Sequence, residues 1–212
     1  MKNLTLYSAV FDAFYPFGYM DLFSAFKVAE VPEDMTDPGV LVVWGGGDIS
    51  PSLYNRDVSL KTGATSKPSS RDVMEWNLMK AAVDKGMDII GICRGAQMLC
   101  ALAGGHLIQD VTNHAGDDHY ITLNTGEMIQ VCSVHHQMMY PWDVEHKMIA
   151  WSTENLSHHY MDVNTKVNVP CEPEQVYFPT VKGHAIQWHP EFMPINCHAN
   201  QYIEEYFQNV LV

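Results

Sequence analysis

One cysteine stands where an apolar segment ends and a segment rich in small residues begins. Cys93 directly follows the run Ile89–Ile92, and Gly91 and Gly95 flank it two residues away on either side. A nucleophile on a tight strand-to-helix turn needs small neighbours, and the helix N-terminus that follows favours a thiolate. The pattern predicts a nucleophilic cysteine. A buried structural cysteine is the alternative that this spacing alone leaves open.

A cysteine nucleophile needs a base, and that base needs a group to orient it. In the segment AIQWHPEF, His189 and Glu191 stand two residues apart after an apolar run. If a strand continues through both residues, their side chains point to the same face, and Glu191 holds the imidazole in the correct tautomer. Pro190 suits the end of such a strand. The chain has 11 histidines, so a histidine by itself indicates little.

Acyl transfer to a cysteine also needs donors for the oxyanion that forms. The backbone N–H of Arg94, directly after Cys93, is one candidate. The loop Gly45–Gly47 follows another apolar run, and its bare backbone is a second candidate. A flexible turn is the simpler interpretation of three glycines taken alone.

The elements of the first half alternate between strand and helix. In chain order they are a strand at Leu4–Tyr7, a strand at Val40–Trp44, a helix with Ser69 as N-cap, a strand at Ile89–Ile92 and a helix from about Arg94 to Leu102. Asp72 completes a capping box with Ser69, and Gly86 ends that helix. The aromatic segment Phe11–Val28 is interpreted as helical. This alternation is typical of a parallel sheet covered on both faces.

The second half predicts short strands in pairs and then a helix. HYITLNTGEMIQV holds two β-like runs around a Thr-Gly turn, and EQVYFPTVKGHAIQWHPEF holds two more around Lys182-Gly183. Residues Ile195–Val212 suit a closing helix. We therefore predict an α/β three-layer sandwich of the flavodoxin-like type, with a central, mostly parallel sheet and an antiparallel extension.

The composition favours a folded protein that binds neither nucleic acid nor membranes. The chain has 212 residues, of which 47% are hydrophobic, and its formal net charge is -13. Residues 1–212 are interpreted as a single domain, and the acidic surface repels nucleic acid and anionic lipid. The five cysteines show no CxxC spacing, which favours free thiols in a reducing compartment. With no apolar run long enough to cross a bilayer, we expect a cytoplasmic protein.

Several motifs together are similar to a known family. The stretches RDVMEWNLMKAAVDKGMDIIGICRGAQMLCALAGGHLIQD, SVHHQ and IQWHPE resemble the class I glutamine amidotransferase superfamily. Within it they are most similar to the stand-alone γ-glutamyl hydrolase branch. The stretch GGGDISPSLY of this chain also resembles the oxyanion loop of that branch. The resemblance covers roughly residues 40–192, and the motifs occur in the family's order.

The resemblance implies a reaction and a set of site residues. It implies a catalytic triad of Cys93, His189 and Glu191, and an oxyanion hole formed by Gly46, Gly47 and Arg94. The residues implied to bind the γ-glutamyl group and its α-amino and α-carboxylate ends are Gln97, Ser133, Val134, His135 and His136. In the implied reaction the thiol attacks the γ-carbonyl of glutamine or of a γ-glutamyl amide. A thioester forms as ammonia or an amine leaves, and water releases glutamate. No metal and no organic cofactor is implied.

Other functions remain open beside the hydrolase. A glutaminase subunit would pass ammonia to a synthase, which would be a separate partner chain, and a non-catalytic binding protein would use the same fold. A metal-binding protein is suggested by six histidines, namely His114, His119, His135, His136, His158 and His159, but their spacings match no dedicated zinc pattern. The segment Ser152–Gln175 departs from the family and is expected to shape the leaving-group pocket. A homodimer is a further possibility.

Overall fold

The computed structural model describes residues 4–9, 21–116 and 118–211. The helices in these ranges are α1 (Ser70–Asp84), α2 (Arg94–Leu102) and α3 (His198–Val210). The strands are β1 (Thr5–Ser8), β2 (Ala25–Val28), β3 (Gly39–Val43), β4 (Asp88–Ile92), β5 (His106–Ile108), β6 (Asp110–Val111), β7 (His119–Leu123), β8 (Met128–Val131), β9 (Met138–Tyr140), β10 (Lys147–Ser152), β11 (Tyr160–Asp162), β12 (Thr165–Lys166), β13 (Pro173–Phe178) and β14 (Gly183–Ile186). None of these helices is long and apolar enough to cross a membrane.

A nine-stranded sheet draws its strands from both halves of the chain, in the order β2-β1-β3-β4-β14-β13-β10-β7-β8. The strands from β2 to β14 in this order run parallel to one another. From β14 onward each neighbour is antiparallel. Two small sheets, β12-β11-β6 and β5-β9, lie outside it. The predicted parallel sheet with an antiparallel extension is therefore confirmed.

Helices cover the two faces of the parallel strands and form the outer layers. Leu41 of β3 belongs to the same buried cluster as Leu78 of α1 and Leu99 of α2. Val42, whose side chain points to the opposite face, shares a cluster with Ile203 of α3. Because both faces are covered, β3 and its neighbours are buried along their length and read as continuous apolar runs.

A buried arginine joins α2 to α1. The capping box of α1 is confirmed, since Ser69 Oγ accepts the Asp72 N–H at 3.0 Å and Asp72 Oδ2 accepts the Ser69 N–H at 2.9 Å. The other Asp72 oxygen pairs with the guanidinium of Arg94, which also pairs with Glu75. All three side chains are buried. The first turn of α2 is therefore fixed against α1 by charge-assisted hydrogen bonds.

The prediction of a helix over Phe11–Val28 is wrong where the structure describes this segment. Ala25–Val28 is strand β2, which pairs in parallel with β1 at one edge of the sheet. Residues 10–20 lie outside the described residues. The aromatic residues of this segment show no clear helical or strand periodicity. Pairing with β1, which is distant in the sequence, decides the conformation of Ala25–Val28. Lys27 places a charge on this edge strand, which discourages pairing with other chains.

Replacing Arg94 by methionine leaves two buried carboxylates without their cation. We expect Arg94→Met to lower the free energy of unfolding by about 3–5 kcal/mol, the usual cost of breaking a buried ion pair from one side. Urea denaturation followed by circular dichroism measures this loss. Lys27→Met, which removes a solvent-exposed pair with Asp37, is the control and should leave the midpoint almost unchanged. Equal midpoints for the two variants would show that the buried pairs do not stabilise the fold.

Candidate active site

Cys93 occupies a strained turn between β4 and α2. Its backbone has φ 48° and ψ -102°, which side-chain-bearing residues rarely adopt, and α2 begins at the next residue. The side chain is 5% exposed. Strain of this kind persists only where the surrounding structure enforces it, and it is common at nucleophile elbows. All five cysteines of the chain are free thiols.

The two glycines beside Cys93 let backbones approach more closely than a side chain would allow. A Cβ on Gly91 would lie 2.4 Å from the carbonyl oxygen of Gly95. A Cβ on Gly95 would lie 2.0 Å from the carbonyl oxygen of Val43, in β3. The first turn of α2 therefore lies directly on the ends of β3 and β4. The small neighbours predicted for this turn are required by contact with backbone atoms, which cannot move aside.

His189 and Glu191 meet through a turn, so the prediction that a strand carries both is wrong. Strand β14 ends at Ile186, and Pro190–Phe192 forms a 3-10 turn. Pro190 has no N–H for strand pairing and suits the first position of such a turn. The turn brings Glu191 Oε1 to 2.7 Å from His189 Nδ1, and the ring of Phe192 stacks on the imidazole with centroids 4.5 Å apart.

The surroundings of His189 favour its protonated form. Burial by itself lowers the pKa of this imidazole, but hydrogen bonds with the Cys93 side chain and with Glu191 outweigh burial and raise the pKa to about 10. The Glu191 side chain is 2% exposed, so little water screens its charge. The arrangement therefore favours an imidazolium beside the cysteine.

The glycine loop after β3 lies against both side chains. A Cβ on Gly45 would stand 2.6 Å from His189 Cε1 and 3.6 Å from Cys93 Cβ. Arg71 of α1 holds this loop, since its Nη2 donates to the Gly45 carbonyl at 2.9 Å. Within the described residues, the N–H groups of Gly46 and Gly47 have no acceptor.

The glycine loop lies against Cys93 at Gly45, and Arg94 follows Cys93 directly, so the assignment of Gly46, Gly47 and Arg94 as oxyanion donors stays a prediction. The N–H of Arg94 is at the first position of α2, where a helix leaves its N–H groups without intrahelical partners. The Arg94 side chain turns away into the contact with α1. N–H groups that are held in place and have no acceptor in the protein are the kind of donor that an oxyanion requires.

Gln97 and the segment Ser133–His136 are the residues predicted to bind the γ-glutamyl group, and several of their side chains already have partners in the protein. Gln97 Nε2 donates to the Gln137 carbonyl at 3.1 Å. Ser133 Oγ donates to the His114 carbonyl at 2.7 Å, and the ring of His135 is buried, with Nδ1 2.9 Å from the Gln137 carbonyl. The side chains of Ser133 and His135 therefore face the interior.

The remaining residues of this segment face the glycine loop or solvent. His136 Nε2 lies 3.0 Å from Oδ1 of Asp48, and this hydrogen bond raises the pKa of His136. Val134 is 48% exposed and bridges Ala115, so its own N–H and C=O point away from that bridge. The segment is also tied to His189, whose backbone N–H donates to the Cys132 carbonyl at 3.0 Å.

Three further residues contact the site and were missed from the sequence. The Nε2 of Gln187, which is fully buried, donates to Cys93 Sγ at 3.9 Å. Asp48 joins the glycine loop to His136, and Arg71 anchors that loop. Two of them could have been found from the sequence, because they stand inside motifs already singled out. Gln187 is part of IQWHPE, and Asp48 directly follows the three glycines. Arg71 is the first residue of the stretch RDVMEWNLMKAAVDKG, which was also singled out, but nothing local indicates its contact, which reaches from α1 to the glycine loop.

The chain is similar to proteins of one family. Residues 33–127 match the Peptidase C26 family. YvdE of Lactococcus lactis, a proposed glutamine amidotransferase-like protein, is 27% identical over 192 residues, which cover 86% of this chain and 78% of that protein. Protein NtpR of Enterococcus hirae is 36% identical over 88 residues, which cover 42% of this chain and 35% of that protein.

Solved structures share the fold at low sequence identity. A protein from Thermoplasma acidophilum, described as a proposed GMP synthase subunit, matches with a TM-score of 0.64 at 15% identity, covering 99% of this chain and 94% of that one. PurLQS from Thermotoga maritima matches with a TM-score of 0.63 at 14% identity, covering 100% of both chains. The family match and the similarity to YvdE confirm the resemblance found in the motifs, and these structures confirm the fold. The chain is therefore similar to the Peptidase C26 family over residues 33–127 and to glutamine amidotransferase-like proteins over most of its length.

Proposed function

We propose that this protein is a cysteine hydrolase that cleaves the γ-amide of glutamine or of a γ-glutamyl compound. One observation carries the proposal: Cys93 on its strained turn, the His189–Glu191 pair at 2.7 Å and the Gly45 backbone lie against one another in a largely buried site. A nucleophile, a base with its orienting group and unpaired N–H groups are the parts that acyl transfer needs. The family match supports an enzyme of the hydrolase type.

In the proposed reaction, Cys93 Sγ attacks the γ-carbonyl carbon and the carbonyl electron pair moves to oxygen. The tetrahedral intermediate collapses, the C–N bond breaks, and protonated His189 gives its proton to the departing nitrogen. A γ-glutamyl thioester remains, and ammonia or an amine leaves. Water then attacks the thioester while His189 accepts a proton, the C–S bond breaks and glutamate is released. Glu191 stabilises the imidazolium and orients the ring throughout.

The oxyanion is assigned to the N–H groups of Gly46, Gly47 and Arg94. These donors belong to two different elements, the loop after β3 and the start of α2. Their relative position is fixed by Arg71, which holds the loop, and by the buried pairs of Arg94. Such preorganised donors act on the charge of the transition state without reorganising during the reaction.

Recognition of the γ-glutamyl group is assigned to Gln97 and to the segment Ser133–His136. Because the side chains of Ser133 and His135 bond to protein carbonyls, the backbone around Val134 is left to meet the α-amino and α-carboxylate groups. His136, partly exposed and next to the glycine loop, lies at the edge of the site. The segment Ser152–Gln175, in which β11 is half-buried and β12 is exposed, is proposed to shape the leaving-group side.

A glutaminase subunit that supplies a separate synthase is the second candidate. The observation that favours it is the shared fold with a protein described as a synthase subunit. The catalytic residues would be the same, and only the fate of the ammonia would differ. Assays of the isolated chain distinguish the two, because a subunit is expected to be slow alone and to accelerate when its synthase is added.

Removing the nucleophile should abolish turnover and spare the fold. We expect Cys93→Ser to lower kcat/KM for glutamate release by about 10⁴-fold or more, because the residues of such a triad act as a unit. The matched control is Cys197→Ser, at the N-cap of α3, where serine is a favoured residue. A Cys93→Ser protein that keeps most of its activity, with circular dichroism unchanged, would refute the assignment.

The charge on Glu191 should set the alkaline limit of activity. With the pKa of His189 raised to about 10, the imidazolium that protonates the leaving group is present at neutral pH and is lost as the pH rises through that value. Glu191→Gln removes one cause of this increase, so the alkaline limb of kcat/KM should move to lower pH. Glu127→Gln, which changes an exposed pair with His198, should leave the limb in place. Superimposable pH profiles for wild type and Glu191→Gln would contradict the proposed pairing.

The enzyme should reject asparagine and accept some γ-glutamyl amides other than glutamine. Asparagine is one methylene shorter, so it cannot place its carbonyl and its α-groups at the same time. A site that pairs polar groups discriminates against such analogues by about 10⁴-fold or more. Steady-state rates on glutamine, asparagine and two γ-glutamyl amides measure this. Comparable rates on asparagine and glutamine would overturn the γ-glutamyl assignment.

A further inference from the structure

A second cluster of titratable side chains is buried behind the segment Ser133–His136. Its members are His114, His119, His135, Glu172 and Glu174, each at most 8% exposed. His119 is the first residue of β7, and His114 stands five residues before it. His135 comes from the SVHHQ motif. Glu174 lies in β13, and Glu172 directly precedes that strand. No role in the proposed hydrolysis uses this cluster.

One carboxylate oxygen is surrounded by three imidazoles. Glu174 Oε1 lies 3.1 Å from His119 Nε2, 3.6 Å from His114 Nδ1 and 3.8 Å from His135 Nε2. The two longer distances exceed hydrogen-bond length. They are close to the separation of about 3.3–3.6 Å between two ligands that bind one tetrahedral Zn²⁺ at about 2.0–2.2 Å. Ligand atoms of His114, His119 and Glu174 all lie within 4.8 Å of one another.

Several polar atoms of this cluster lack a hydrogen-bond partner within the described part of the chain. They are Nδ1 of His114, Nε2 of His135 and Oε2 of Glu174. The other ring nitrogen of His114, Nε2, lies 3.1 Å from Glu172 Oε2. Glu172 differs, because it accepts hydrogen bonds from the N–H groups of Leu156 and Ser157 and from the Tyr160 hydroxyl. Unpartnered polar atoms at such depth are costly to bury, which indicates that something else bonds to them.

The charge of the cluster points to a cation. Among the described residues, the ion pairs recorded for Glu172 and Glu174 are all with histidines, and neither glutamate is paired with lysine or arginine. Two buried carboxylates need positive charge nearby. A set of imidazole nitrogens and a carboxylate oxygen suits a borderline divalent ion.

We propose that His114, His119 and Glu174 bind one Zn²⁺-type divalent cation, with His135 beside the fourth position. The role is structural, since the ion would fix the segment that the proposed function assigns to γ-glutamyl recognition. The His114 carbonyl accepts hydrogen bonds from Ser133 Oγ and from the His135 N–H at 2.9 Å. The metal site itself does not depend on that function. His114 and His119 were among the histidines that suggested metal binding in the sequence, whereas Glu174 was missed because it lies 55 residues beyond His119.

The test measures metal content and affinity without using catalysis. Wild-type protein, purified without chelator, is analysed for zinc by mass spectrometry, then stripped and titrated with Zn²⁺ against a chromophoric competitor. Titration with Co²⁺ reports the coordination geometry through its visible absorption. The Cys93→Ala variant excludes binding at the Cys93–His189 pair. His119→Gln and Glu174→Gln remove ligands, and His198→Gln removes an exposed histidine as the matched control.

We expect about one equivalent of metal in wild type, Cys93→Ala and His198→Gln, and affinity at least about 100-fold lower in His119→Gln and Glu174→Gln. If these two variants do not fold, the stripped wild type decides, because Zn²⁺ should raise its Tm and Co²⁺ should give tetrahedral absorption bands. Stripped wild-type protein that binds neither ion would overturn the proposal. The proposal would also be overturned if Cys93→Ala lost its metal while His119→Gln retained it. An inactive enzyme that still binds metal would count against the hydrolase alone.

Discussion

The contact between the first turn of α2 and the backbone of β3 and β4 determines the geometry of the whole site. It requires glycine at residues 91 and 95, because a side chain at either place would meet backbone atoms at 2.4 Å or less. The helix can approach this closely only if the residue between strand and helix takes the positive φ seen at Cys93. The thiol, the helix N-terminus and the end of β3 are consequently brought to one place.

Buried polar contacts hold the neighbouring parts in register with that turn. Arg94 ties α2 to Asp72 and Glu75 on α1, and Glu75 also accepts a hydrogen bond from Arg71 at 2.8 Å. Arg71 in turn holds the Gly45 carbonyl. Helix α2 and the glycine loop therefore share one network, whose loss would move the N–H groups of the loop relative to the thiol of Cys93.

Much of this could be predicted from sequence where the signals are local. The continuous apolar runs of β3 and β4, the capping box of α1 and the small residues around Cys93 each depend on neighbours in the chain. The strand β2 was missed because its conformation comes from pairing with β1. The partners His189 and Glu191 were chosen correctly as a close pair, but the turn that joins them begins at Pro190, where a strand had been expected to continue. The partners of the Arg94 side chain and the buried imidazoles around Glu174 come from distant segments, so no spacing rule reveals them.

We propose Cys93 as the nucleophile of a site shaped for a γ-glutamyl group. Covalent labelling with a chloroketone analogue of glutamine, followed by peptide mapping with mass spectrometry, tests both parts of this claim in one measurement. We expect one label per chain, located on Cys93, and slower labelling in the presence of excess glutamine. Labelling of Cys100 or Cys132 while Cys93 stays unmodified would contradict this assignment.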